Sequence, residues 1–237
     1  MKIATLGLLA ALTAGVAGSA MAGPNANGYL LLHTDDTVVY SEDDEGTYCD
    51  FLTVECPFDP ECDDNHDGCA SAAMSLNPTS GRGSETTMIW VVAAFQPDAC
   101  PRVAAIQFGM SWPPEYPASP MLAWGNCGDF EIATDGWPTD LSSGTAVTWG
   151  NAITRTAFPV YWFAAYAYYG AIEITIDDFT NGPAAFADDH VPSVIDPVPN
   201  QNWGVLGMAG ATGSNPYIAN TPVHEKSWGE VKAIFGR

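Results

Sequence analysis

Between Gly23 and Pro222 no stretch of the chain sustains an apolar period of about 3.6 residues, whereas short runs alternate every second residue. Ile172, Ile174 and Ile176 alternate with Glu173 and Thr175, the pattern of a strand with one face buried. Ala104, Ile106, Phe108, Met110 and Trp112 share one face of 103–112, with Gln107, Gly109 and Ser111 on the other. The runs 86–95 and 160–169 are apolar throughout, as in strands covered on both sides. Shorter strands are expected at 29–33, 38–40, 122–124, 130–133 and 146–149, with an apolar piece at 203–208. The runs 160–169 and 171–176 read as neighbouring strands hinged near Gly170. Many short strands separated by turns predict an all-β fold, a single antiparallel β-sandwich of jelly-roll or Ig-like type.

Both ends depart from that pattern. Lys2, the apolar run from Thr5 to Val16 and Ala20-Met21-Ala22 form a three-part export signal, too short in its apolar part to span a bilayer. Residues 1–22 are therefore expected to be removed, and no transmembrane segment follows in 23–237. At the other end Ser227 and Glu230 form a capping box, and Trp228, Val231, Ile234 and Phe235 fall at helical spacing. A short helix is expected over 227–237, closing a sandwich domain over 23–226.

Six cysteines in an exported chain imply disulfides. Proximity favours Cys49 with Cys56, Cys62 with Cys69, and Cys100 with Cys127, although the sequence alone leaves the pairing open. Zinc is the rival for the first four, and their spacing is not that of a zinc site. Four of the six lie within 42–84, which has no period and many acidic and turn-forming residues. This segment reads as an irregular, disulfide-tied insert, placed at one edge of the fold.

The net charge is −21, one unit more negative once Lys2 leaves. A field of that sign repels phosphate backbones, so nucleic acid is excluded as a partner. With 47% hydrophobic and 11% aromatic residues the chain has ample core material and is not a disordered polyanion.

Within the insert, Asp63, Asn65 and Asp67 alternate before Gly68, as in the first half of a calcium loop. Asp59 and Glu61 could complete an oxygen cage, making Ca2+ the one cofactor the chain suggests. The twelfth loop position is Met74 where a bidentate Glu belongs, so this is not an EF-hand. Asp177-Asp178 and Asp188-Asp189-His190 follow strands and read as backbone caps, or as a second cation site.

Tyr161, Trp162, Tyr166 and Tyr168 are candidate ligand-binding residues. Trp162, Tyr166 and Tyr168 share one face of an extended strand, and flat rings with polar tips form a platform for a sugar or a protein. The alternative is a strand buried on both sides. Catalytic motifs are lacking: there is no G-x-S-x-G, no H-E-x-x-H and no phosphate-binding glycine loop. Asp129 and Glu131, two apart on one strand, are the only pair that suggests a glycosidase.

Three segments, 124–131 (Trp124-Gly125-Asn126-Cys127-Gly128-Asp129-Phe130-Glu131), Val160 to Gly170, and Phe186-Ala187-Asp188-Asp189, resemble a group of exported bacterial proteins of uncharacterised function. The resemblance implies secretion and a shared domain over most of the mature chain, and carries over no functional residue. The reading is thus a secreted or cell-surface, non-catalytic binding module for a glycan or protein, free or periplasmic. A structural subunit of an extracellular assembly is the alternative, and an extracellular glycoside hydrolase the second.

Overall fold

The computed structural model describes residues 22–52 and 67–220. The leader before Ala22, the 227–237 helix, Cys56, Cys62 and the loop residues Asp59, Glu61, Asp63 and Asn65 lie outside the described residues, as do the side chains of Asp67 and Cys69.

Among the described residues eleven strands form two antiparallel sheets. They are β1 (Tyr29–Thr34), β2 (Thr87–Ala94), β3 (Val103–Ser111), β4 (Met121–Asn126), β5 (Phe130–Ala133) and β6 (Gly144–Ile153), then β7 (Ala157–Ala165), β8 (Ile172–Asp177), β9 (Ala185–Ala187), β10 (Ile195–Pro197) and β11 (Val205–Met208). The first sheet has the order β1-β2-β7-β4. In the second, β10-β9-β3-β6-β5 run side by side, and β8 joins β3 beyond β9 with β11 at its other edge. The fold is the antiparallel sandwich that the alternation predicts.

Between the sheets lies the main core. Leu30 and Leu32 of β1, Ile89 and Val91 of β2 and Phe158 and Phe163 of β7 meet Ile106, Phe108 and Met110 of β3 and the three isoleucines of β8. Each such side chain contributes about 1.5–3 kcal/mol on leaving water. A β-bulge shapes β7: Val91 pairs with Tyr161 and Val92 with Pro159, leaving Val160 as the extra residue. Val160 and Tyr161 consequently both face the core, and Trp162 turns to the opposite face.

Every residue of β2 is buried, because the first sheet is covered on its outer side as well. The cover comes from the described residues of the 42–84 insert, together with Tyr217. A 3₁₀ turn over Glu42–Thr47 leads into α1 (Tyr48–Phe51), and α2 (Asp67–Ser75) follows, with α3 (Pro216–Asn220) beside it. Tyr48, Ala73, Leu76 and Tyr217 pack on Tyr29, Leu31, Met88, Trp90, Val92 and Trp162. Cys49 bonds to Cys127, just past β4, fastening the insert to the edge of the sheet. Instead of trailing at an edge, the insert is a second core layer.

Three further expectations are corrected. Cys127 pairs with Cys49 at the β4 edge of the first sheet, so neither Cys49–Cys56 nor Cys100–Cys127 forms; Cys100 is disulfide-bonded elsewhere. Runs 160–169 and 171–176 are not neighbours. The first ends as β7 at Ala165 in one sheet, and the chain crosses at Gly170 (φ +108) to β8 in the other. Residues 38–40 are not a strand; Val38 and Tyr40 pack against the insert core.

Candidate binding surface

The aromatic strand is core. Tyr161 is fully buried between the sheets, and Trp162 is 3% exposed beneath Tyr48, at a ring distance of 4.8 Å. Neither can touch a ligand, so the four-residue platform does not exist as an exposed face. Tyr166 and Tyr168 lie beyond the strand's end, half-buried and exposed respectively. There Tyr168 and Tyr169 meet edge to face at 5.2 Å, and Tyr169 meets Tyr116 at 5.6 Å, while the Tyr116 hydroxyl accepts the Tyr169 N–H at 3.0 Å. This small aromatic cluster caps one end of the sandwich.

Asp129 and Glu131 do not converge on a cleft. Asp129 accepts the Gly150 N–H at 2.7 Å on the surface. Glu131 points inward from β5, level with Val147 of the core. Its carboxylate accepts from the Tyr161 hydroxyl at 2.9 Å, the Thr145 hydroxyl at 2.6 Å and Asn126 Nδ2 at 3.3 Å, and Trp137 Nε1 donates to the Tyr161 oxygen at 3.0 Å. Burial and the adjacent Glu131 charge push the Tyr161 phenol well above its ordinary range, so it stays protonated and donates. This is a structural network with all its donors engaged.

The other acidic residues found near strand ends are caps or ion pairs. Asp178 accepts from Ala184 N, Asp188 from Val194 N, and Asp189 pairs with Arg102. Among the described residues no three His, Cys, Asp or Glu side chains gather as metal ligands. Asp67 and Gly68 open α2.

An unread surface emerges at β5. Because Glu131 faces in, Phe130 and Ile132 face out, 60% and 58% exposed. That polarity is the reverse of an ordinary half-buried strand, where the apolar residues line the core. Cross-strand register extends both positions over five strands of the outer face. Phe130 lies level with Thr148, Ala105, Ala187 and Ile195, and Ile132 with Ala146, Gln107, Ala185 and Pro197. Ile195, at the far edge, is 54% exposed. Four alanines with Thr148 and Gln107 fill the middle, leaving a shallow depression between apolar posts at each end. Farther along the same face β8 presents Glu173 and Asp177, opposite its buried isoleucines. The sequence did carry this signal, in the spacing Phe130-Glu131-Ile132; only partnered burial of Glu131 reveals which residue faces in.

Cations give little relief to the acidic surface. Among the described residues the basic side chains are Arg82, Arg102 and Arg155. Arg82 is spent on the carbonyls of Asp36, Val38 and Thr86, and Arg102 on Asp189.

No family model matches the chain, and no curated protein matches it. Among solved structures it is similar to a cohesin module from Clostridium perfringens ATCC13124 family 33 glycoside hydrolase, at 7% identity and a TM-score of 0.41, covering 56% of this chain and 90% of that one. It is also similar to fragment 1 of the human F-spondin reeler domain, at 9% identity and a TM-score of 0.30, covering 56% and 83% of the two chains. Scores this low bear on neither partner nor activity. No helix among the described residues is long and apolar enough to cross a membrane.

Proposed function

We propose that this is an exported, non-catalytic binding module that captures a protein partner on the bare outer face of its second sheet. The observation that carries the reading is the inverted polarity of β5: a carboxylate is accommodated inside while Phe130 and Ile132 stand in water. Exposed apolar side chains gathered on one open sheet face mark a contact surface. The first sheet supports this by contrast, since the chain covers that outer face with its own insert. The partner has an apolar centre with a lysine- or arginine-bearing rim, matching Glu173, Asp177 and a chain of net charge −21. A second copy of the chain is disfavoured by the same charge.

The test compares mature wild-type protein with F130S/I132S/I195S, each immobilised and exposed to the extracellular fraction of the source culture. The reading expects a basic protein held by the wild type, at least about tenfold more weakly by the variant, and released as salt rises from about 0.05 to 0.5 M. Equal retention by the variant at an unchanged Tm would overturn it. One observation favours a second reading, a glycan module: the rings of Tyr116, Tyr168 and Tyr169 gather at one end with Tyr168 69% exposed. A glycan-array signal abolished by Y168A, and indifferent to the sheet-face variant, would select it.

A further inference from the structure

We propose that the bond between Ala22 and Gly23 is the maturation cut, and that the Gly23 α-ammonium it releases is locked in place by the Asp196 carboxylate. The proposal rests on the export reading but not on any choice of ligand. It is carried by an arrangement that the export motif did not foretell. Asp196, on β10, is 5% exposed and aims both oxygens at the main chain of Gly23 and Asn25. Oδ1 accepts the Gly23 N–H at 2.7 Å, and Oδ2 accepts the Asn25 N–H at 3.0 Å. Asn25, itself fully buried, continues the clasp: its Nδ2 donates to the Arg102 carbonyl at 3.1 Å, and the Arg102 N–H donates back at 2.8 Å.

Residue 23 has no room for a side chain. A Cβ there would lie 2.4 Å from Asp196 Oδ2 and 2.6 Å from Val194 Cγ1. Glycine is what lets the main-chain nitrogen come this close to a buried carboxylate. Ala22, one residue earlier, is exposed, and with Ala20 it supplies the small residues that an export-coupled peptidase reads. The carboxylate sits at the nitrogen where that motif would create a new positive charge.

The covalent step is simple hydrolysis. Water adds across the Ala22–Gly23 bond, the leader departs with a carboxylate on Ala22, and the Gly23 nitrogen takes up a proton. Before the cut, Asp196 accepts a neutral amide hydrogen bond; afterwards it holds a charge-assisted one, with the carboxylate buried and the nitrogen half-buried. The leader need not move anything in the domain, since the nitrogen is already in place. Processing therefore tightens the N-terminal segment onto β10 and, through Asn25, onto the start of β3.

The test has two readouts. Mass spectrometry of the exported protein is expected to find Gly23 at its N-terminus; an exported chain beginning elsewhere overturns the cut, whereas a chain that is never exported overturns the export reading instead. Thermal unfolding then compares the chain beginning at Gly23 with one beginning at Ala22, which keeps the amide hydrogen bond at Gly23 and moves the positive charge one residue outward, onto the exposed Ala22. The longer chain is expected to melt about 2–4 °C lower. In a D196N background that difference should vanish. Equal Tm values in the wild-type background, or a difference that persists in D196N, overturn the lock. Should D196N fail to fold, acylation of the Gly23 amine decides: it should be about tenfold slower than in an unstructured peptide of the same first residues, and an equal rate refutes the pairing.

Discussion

Truncating Tyr48 to alanine tests whether the insert is part of the core. Tyr48 has no exposed surface, and its ring lies 4.8 Å from Trp162, 5.4 Å from Phe51 and 6.1 Å from Tyr40. Its hydroxyl accepts the Ser41 N–H at 2.6 Å and donates to the Ser41 carbonyl at 3.1 Å. Removing a buried ring costs about 3–5 kcal/mol, most of it transfer and cavity terms. Y48F keeps the ring and loses only the hydroxyl's bonds, about 1–3 kcal/mol. The ordering Y48A worse than Y48F is thus required, and Y48A should lower Tm by about 6–20 °C. The assay is urea unfolding followed by tryptophan fluorescence, because Trp90 and Trp162 lie directly under the insert. Trp90 also donates its Nε1–H to the Tyr48 carbonyl at 2.8 Å, a bond that both variants retain. A loss under about 1 kcal/mol for Y48A would refute the reasoning, as aromatic burial of this kind cannot be that inexpensive. So would tryptophan exposure without a change in global stability, which would mean that the insert opens independently of the sandwich.

The remaining predictions concern the same layers. C49A/C127A under oxidising conditions should destabilise by about 4 kcal/mol, since that bridge closes a separation of 78 residues; an unchanged urea midpoint contradicts it. E131A should cost about 1–3 kcal/mol by orphaning the Tyr161 and Thr145 hydroxyls, with near-UV circular dichroism reporting the Tyr161–Trp137 environment; a neutral effect would mean that the network is not buried. His33 should make stability pH-dependent. Burial holds its pKa below 6.5, and its neutral Nδ1 accepts the Asn77 N–H at 2.9 Å, so the unfolded chain takes up a proton first as pH falls. That stability is full above about pH 6.5 and is lost progressively below it. H33Q should flatten this part of the urea-midpoint profile between about pH 8 and 5.5, and an identical slope in the variant refutes the assignment.

Much of the sandwich was legible because alternation is a local signal. Ile172, Ile174 and Ile176 show their buried side without knowledge of any neighbour, and the continuous run of β2 announces cover on both faces. Pairing partners were not legible. Proximity in sequence suggested that 160–169 lies beside 171–176, whereas a crossover at Gly170 puts them in different sheets. The same proximity argument misassigned Cys49 and Cys127, which meet only once the insert has folded over the first sheet. The insert's role was hidden by its lack of period: short helices and a 3₁₀ turn bury Tyr48, Leu76 and Ala73 with no regular spacing. At the candidate site, the aromatic run was visible but its direction was not, since the bulge at Val160 reorients the side chains beyond it. In Phe130-Glu131-Ile132 the ordinary sense of the alternation places the acid outside. Only the donors around Glu131, drawn from β4, β6 and β7, reverse it.

The central claim is that the uncovered sheet face, and not the insert side, meets a protein partner. Position-specific photocrosslinking tests it most directly. A photoreactive residue replaces Ile132 on the bare face, or Val39 on the insert side as an equally exposed control at 66%. Each protein is then irradiated in the extracellular fraction of the source culture. The account predicts a discrete protein adduct at position 132, none at 39, and loss of that adduct at high salt. Adducts of equal yield at both positions, or at 39 alone, would contradict it.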